Sequence, residues 1–273
     1  MRDGIFTCSR FKGEWMELTW FGTAGFKVKT DTCTILIDPY LSRNDKALPK
    51  QPLKPPDIQE ANFILISHGH FDHIYDVPAV AANTGAKVYC GKGIAETLIR
   101  NGMEKARIHE VNSDGENFKL NEIQAQAFFS RHVKFDRWLI FKTLARINFR
   151  LPRYLPLLRD YPEGQVLSWR LDVEGKAIHH FGSAGSTSDE LAKLSSQLTD
   201  ILLVPLQGHS AITQIAHKYV EALQPKVVIP HHQDSFFPPI SIMVDPQPLA
   251  DMVKQTNAEA EIKILEINET VAF

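Results

Sequence analysis

The stretch Phe63-Ile64-Leu65-Ile66-Ser67-His68-Gly69-His70-Phe71-Asp72-His73 joins a wholly apolar run to three histidines and an aspartate. Four large apolar residues without polar alternation read as a central strand buried on both faces, the pattern of a sheet covered by helices. The polar cluster follows directly, so its side chains emerge at the end of that strand. Three imidazoles and one carboxylate within six residues suit a borderline divalent ion such as zinc, which prefers nitrogen with some oxygen. Gly69, between two histidines, permits a tight backbone path that lets both rings address one centre. Four candidate donors exceed what one open catalytic zinc takes, which points to two neighbouring ions.

The flanking sequence supplies the scaffold. Leu18-Thr19-Trp20-Phe21, Phe26-Lys27-Val28-Lys29 and Thr34-Ile35-Leu36-Ile37 are short β-rich runs separated by Gly22, Gly25 and Asp31, an antiparallel meander. Residues 41–57 hold Pro49, Pro52, Pro55 and Pro56 and read as an extended surface loop. Beyond the histidines, helical and strand patterns alternate. Ile201-Leu202-Leu203-Val204 and Val227-Val228-Ile229 are further buried strands, and a strand is expected over 262–267. A helix over 188–197 has Ser186, Thr187 or Ser188 available as its N-cap. Meanders followed by alternation, twice over, predict an α/β architecture with two packed sheets and helices outside, in one domain.

Length and composition agree. The 273 residues are 44% hydrophobic and 23% charged, ordinary globular values that exclude disordered, collagen-like and coiled-coil chains. Thirty basic against thirty-two acidic residues give a charge of −2, so nothing global steers the chain to nucleic acid. Cys8, Cys33 and Cys90 lie far apart in no metal spacing, which argues against a disulfide framework. With no signal-like N-terminus and no long apolar run, a cytoplasmic protein is expected.

Two ions need about three protein ligands each, so the remaining donors must come from elsewhere. His132, His179, His180, His209, His231 and His232 follow or end candidate strands, where open α/β sheets assemble sites. His109, and His217 inside a helical pattern, read as ordinary histidines.

These motifs resemble the metallo-β-lactamase superfamily. The resemblance runs from about Met16 through Trp20-Phe21-Gly22-Thr23-Ala24-Gly25-Phe26, Ile37-Asp38-Pro39 and the histidine loop. It continues through His132, His180-Phe181-Gly182-Ser183, Pro205-Leu206-Gln207-Gly208-His209 and Ile229-Pro230-His231-His232. The chain looks most like the branch of small intracellular hydrolases that includes ascorbate phosphate lactonase. The resemblance implies a four-layer αββα sandwich over residues 16–273, with residues 1–15 as an extension. It implies one ion on His68, His70 and His132 and a second on Asp72, His73 and His232, with His231 only a neighbour. Asp38 reads as an acceptor that orients a ligand histidine. Relatives commonly carry an aspartate bridging both metals where this chain has Ser183, so weaker retention of the second ion is expected. Thr23 stands where relatives often carry histidine.

The implied activity is metal-dependent hydrolysis of a small anionic ester, lactone or phosphodiester by a metal-bound hydroxide, since a bound ion brings the pKa of water to about 7. Zinc is expected, with manganese or iron as alternatives. Asp72 could orient the nucleophile and His209 could donate to the substrate. The competing readings are a binding or sensory protein with a degraded site, and mononuclear iron oxygen chemistry on the same fold.

Residues 133–162 stand apart, with seven basic residues against Asp136 and Asp160. Lys142, Arg146 and Arg150 recur at helical spacing opposite Ile140, Leu144 and Ile147, which predicts a basic amphipathic helix ended by Pro152. This insertion could wall the groove and offer Arg137, Arg146 or Arg150 to an anionic substrate. It could also touch a membrane surface through Trp138, Phe141 and Phe149, or pack on a second subunit in a homo-oligomer.

Overall fold

The computed structural model describes residues 15–147 and 151–273. The meander forms as β1 (Glu17–Gly22), β2 (Gly25–Lys29) and β3 (Thr34–Ile37), paired antiparallel in sequence order. β4 (Phe63–Leu65), β5 (Lys87–Gly91) and β6 (Ile108–Val111) then add in parallel. Their connections carry α1 (Phe71–Ile74), α2 (Val77–Thr84) and α3 (Ala95–Arg100).

The second sheet repeats that plan. β7 (Glu116–Leu120) and β8 (Ile123–Phe129) precede α4 (Arg137–Ile147) and α5 (Leu151–Asp160), after which β9 (Leu167–Val173) and β10 (Lys176–Phe181) complete an antiparallel half. The parallel half alternates α6 (Ser188–Leu194), β11 (Ile201–Pro205), α7 (Ile212–Leu223), β12 (Val227–His231), α8 (Gln247–Thr256) and β13 (Glu261–Ile262). β14 (Thr270–Ala272) returns to the edge of the first sheet beside β1. The sheet orders are β14-β1-β2-β3-β4-β5-β6 and β13-β12-β11-β10-β9-β8-β7.

Strand alternation divides the apolar residues among three interfaces. Leu65, Trp20 and Phe26 from one sheet meet Trp169, Leu203 and Ile229 from the other in the central core. Ile64, Ile66 and Val88 face outward onto Val77, Val80 and Leu98. Leu202, Val204 and Val228 pack outward on Ala216, Val220 and Leu249. The result is the four-layer αββα sandwich that the resemblance implied, with β4 buried on both faces as its unbroken apolar run requires.

Several local expectations are corrected. Pro152 lies within the described span of α5, while α4, the helix it was expected to end, is described to Ile147. The insertion is therefore two helices. The strand expected over 262–267 stops at Ile262. Gly69 is needed for space and not for a special backbone angle. A Cβ there would lie 2.1 Å from the Pro162 carbonyl oxygen, and the Gly69 N–H donates to Glu163 O at 2.7 Å. The exit of α5 is thus clamped to the histidine loop. Among the described residues, no helix is long and apolar enough to cross a membrane.

Candidate metal centre

The C-terminal ends of β3, β4, β8, β10 and β12 converge on one edge of the sandwich. At the end of β4 the chain runs through Ser67, His68 and Gly69 and then turns into α1, with His70 at its N-cap. Asp72 and His73 consequently sit on a helical turn. That turn separates the donors into two groups. Ligand atoms of His68, His70 and His132 lie within 4.8 Å of one another, and so do those of Asp72, His73 and His232. The trios abut where the rings of His68 and His73 approach to 3.8 Å between centroids.

Each histidine backed by a partner offers one free nitrogen. Asp38 accepts from His73 Nδ1 at 2.8 Å and from the Ser67 N–H at 2.7 Å, and it also takes the Ser67 hydroxyl. His68 Nδ1 lies 3.0 Å from Ser67 Oγ, and His132 Nδ1 donates to Val133 O at 2.7 Å. These bonds assign the opposite nitrogens, Nε2, to the centre. His68 Nε2 is buried without any hydrogen-bond partner, a costly arrangement in a protein interior and one that a cation would relieve.

Electrostatics favours the same occupant. Burial, reinforced by the neighbouring imidazoles, holds His68 well below the ordinary histidine range. Burial also lowers His70 and brings His132 down to about 4, with His70 contributing. Neutral rings keep the lone pairs that metal ligation requires. Burial opposes ionisation of Asp72, but His73, His232 and His70 outweigh it and hold the carboxyl below the usual carboxylate range. Burial likewise opposes a charge on His73, yet Asp38 and Asp72 raise it. Asp72 Oδ2 lies 3.6 Å from His73 Nε2 and 3.4 Å from His232 Nε2. Five imidazoles and a carboxylate at this density fit one or two divalent ions.

The other candidates are placed as follows. Ser183 belongs to neither trio; its Oγ accepts from the Val133 N–H at 2.9 Å, bracing the backbone beside His132. His209 does not reach the cavity over the trios. Its Nδ1 accepts from the Ala211 N–H at 2.9 Å, and it lines a neighbouring cavity with Arg131 and Lys134. Arg137 is exposed and lies outside the cavity wall. Arg146 lines that wall, so it does not sit opposite the apolar stripe as its spacing suggested. Arg150 and Phe149 lie outside the described residues. His231 is buried behind the site, stacked on His180 at 5.1 Å, while His179 is held by Ser168 Oγ at 3.1 Å.

Sequence reasoning missed the support beneath His232. Arg43 and Asp234, both buried, form an ion pair at 2.6 Å. Asp234 accepts from the Thr23 N–H at 3.0 Å, and Arg43 donates to Thr23 Oγ1 at 3.0 Å. Thr23 O in turn accepts the His232 N–H at 2.8 Å. Thr23, Asp38 and His232 all adopt left-handed backbone angles, with φ of 52°, 44° and 60°. Non-glycine residues hold such angles only where surrounding contacts enforce them, commonly at functional sites.

Residues 17–232 match the family described as the Beta-lactamase superfamily domain. A metal-dependent hydrolase of Methanopyrus kandleri is 30% identical over 261 residues, spanning 93% of this chain and 99% of that protein. Among solved structures, the metallo hydrolase Igni18 of Ignicoccus hospitalis superposes with a TM-score of 0.69 at 23% identity, covering 95% of this chain and 98% of that one. The diiron β-hydroxylase CmlA of Streptomyces venezuelae superposes at 0.65 with 14% identity, over 96% of this chain and 55% of that one. At these identities the two structures share the fold.

Proposed function

The chain belongs to the β-lactamase superfamily and is a metal-dependent hydrolase, and we propose that it cleaves a small anionic ester, lactone or phosphodiester at two adjacent metal positions. His68, His70 and His132 would hold one ion, and Asp72, His73 and His232 the other. The observation that carries this reading is the pair of abutting trios, each preorganised by bonds from its own backbone or neighbours. The donor set, rich in nitrogen with one carboxylate, favours zinc. When bound, such ions supply hydroxide at neutral pH and polarise the scissile group.

The protein's own part is orientation. Asp38 takes the Nδ1 proton of His73 and so fixes the tautomer whose Nε2 faces the centre. Val133 O does the same for His132. Asp72, held ionised between His73 and His232, orients the attacking nucleophile. Ser183 braces the Val133 backbone and contributes no charge between the two positions, so the second ion is held by its own trio alone.

A hydrolysis panel tests this reading. p-Nitrophenyl acetate, bis(p-nitrophenyl) phosphate and a γ-lactone are offered to the zinc-loaded chain, with and without EDTA. At least one should turn over, and EDTA should abolish that turnover reversibly. Turnover that persists at full rate in EDTA, or no turnover of any of the three, counts against it.

A further inference from the structure

Above the trios lies a cavity of about 320 Å³, the size of a small-molecule site. Its floor is polar and its walls are apolar. Phe236 stands edge-on to His232 at 5.0 Å and Phe135 to His132 at 5.6 Å. Phe71 packs against Phe236, and Leu139, Leu144 and Leu157 of α4 and α5 complete the wall. The apolar side of the insertion helices therefore faces the reaction space, with its outer rim partly in solvent.

Among the described residues, Arg146 is the one lysine or arginine on this lining. Its guanidinium is largely committed. Nε donates to Pro239 O at 3.2 Å, and Nη2 donates to Ile240 O at 3.3 Å and to Thr143 Oγ1 at 3.0 Å. Two of these bonds tie α4 to the loop after β12 and the third, to Thr143, stays within α4, so three of its five N–H groups are taken up away from a substrate. Beyond the trios the lining is mainly apolar, with Thr143, Tyr161, Gln207 and Ser241 as its uncharged polar members.

We propose that the substrate is a carboxylic ester or lactone with a medium-length apolar acyl arm, which fills this cavity while the scissile carbonyl sits over the trios. This inference rests on the hydrolase reading, keeps its ester and lactone classes, and replaces the small anionic substrate with one that carries an uncharged apolar arm. Burying each methylene of such an arm favours binding by about fourfold, so chain length is the discriminating variable.

The test compares p-nitrophenyl acetate, butyrate and octanoate on the zinc-loaded chain, alongside calorimetric titration with butan-1-ol and octan-1-ol. We expect kcat/KM to rise at least tenfold from acetate to octanoate, and octan-1-ol to bind more tightly than butan-1-ol. Leu144→Trp, at a half-exposed rim position, should lower the octanoate-to-acetate ratio about tenfold. Ile140→Trp, also on the rim, should act the same way if the first variant folds poorly. Equal rates for the three esters, with octan-1-ol binding no tighter than butan-1-ol, would overturn the inference and leave hydrolysis standing. Tight octan-1-ol binding that Leu144→Trp weakens, with no ester cleaved, would uphold the apolar site and sink ester cleavage instead.

Discussion

The floor and the roof of the cavity differ in how their residues are held. On the floor the key side chains are fixed by polar partners: Asp38 on His73, Val133 O on His132, Ser67 beside His68. On the roof, α4 presents Trp138 and Phe141 to solvent at 56% and 63% exposure and is tied down through Arg146. A floor built from directional bonds tolerates few residue types at each position. A roof built from apolar contact needs only approximate size and polarity. The floor should therefore govern whether reaction occurs, and the roof which substrate is taken.

The largest effect should come from below the floor. Arg43→Met leaves Asp234 charged and buried without its partner, which costs about 3–5 kcal/mol. Urea unfolding should show this loss, and Asp234→Leu added to Arg43→Met should recover much of it. If Arg43→Met is as stable as wild type, the network does not support the turn that carries His232.

A smaller loss is expected from Asp38→Asn, which keeps the shape but removes the negative acceptor behind His73. Such changes commonly cost about 10–100-fold in metal affinity. Competition against a zinc chelator measures it, and the equivalent experiment on a roof variant such as Leu144→Trp should show no such change. Equal zinc affinity in Asp38→Asn and wild type would remove the contrast between the two walls.

The last effect, small when read over a single pH unit, concerns a histidine outside both walls. Burial lowers His179 to about 3, so it stays neutral in the fold while an unfolded histidine titrates near the ordinary 6.5. Protons then favour the unfolded chain, and stability falls as the pH drops from about 6.5 towards 3. The slope from this group alone is about 1.4 kcal/mol per pH unit. His179→Gln should flatten the fall by that amount. An unchanged slope would show that His179 takes up its proton in the fold.

The floor was legible in the sequence because ligation demands particular residues at particular spacings. His68, Gly69, His70, Asp72 and His73 form a local pattern, and the apolar run before them fixed its place on the sheet. His132 and His232 were less legible from spacing, and the resemblance selected them; the structure brings both to the centre and buries His231 against His180. The Arg43–Asp234 pair left no local signal, since its members lie far apart in sequence in a loop and after a strand. The roof misled at Arg146. Helical spacing alone put Arg146 on the solvent side, although a long flexible side chain can reach back to Pro239 and Ile240.

If the two trios on the floor each hold an ion, elemental analysis of protein purified without chelators, in wild type, His68→Ala and His232→Ala, will show it. Two zinc ions per wild-type chain and about one in each variant are expected. No metal in wild type, or an unchanged metal count in both variants, would contradict that reading.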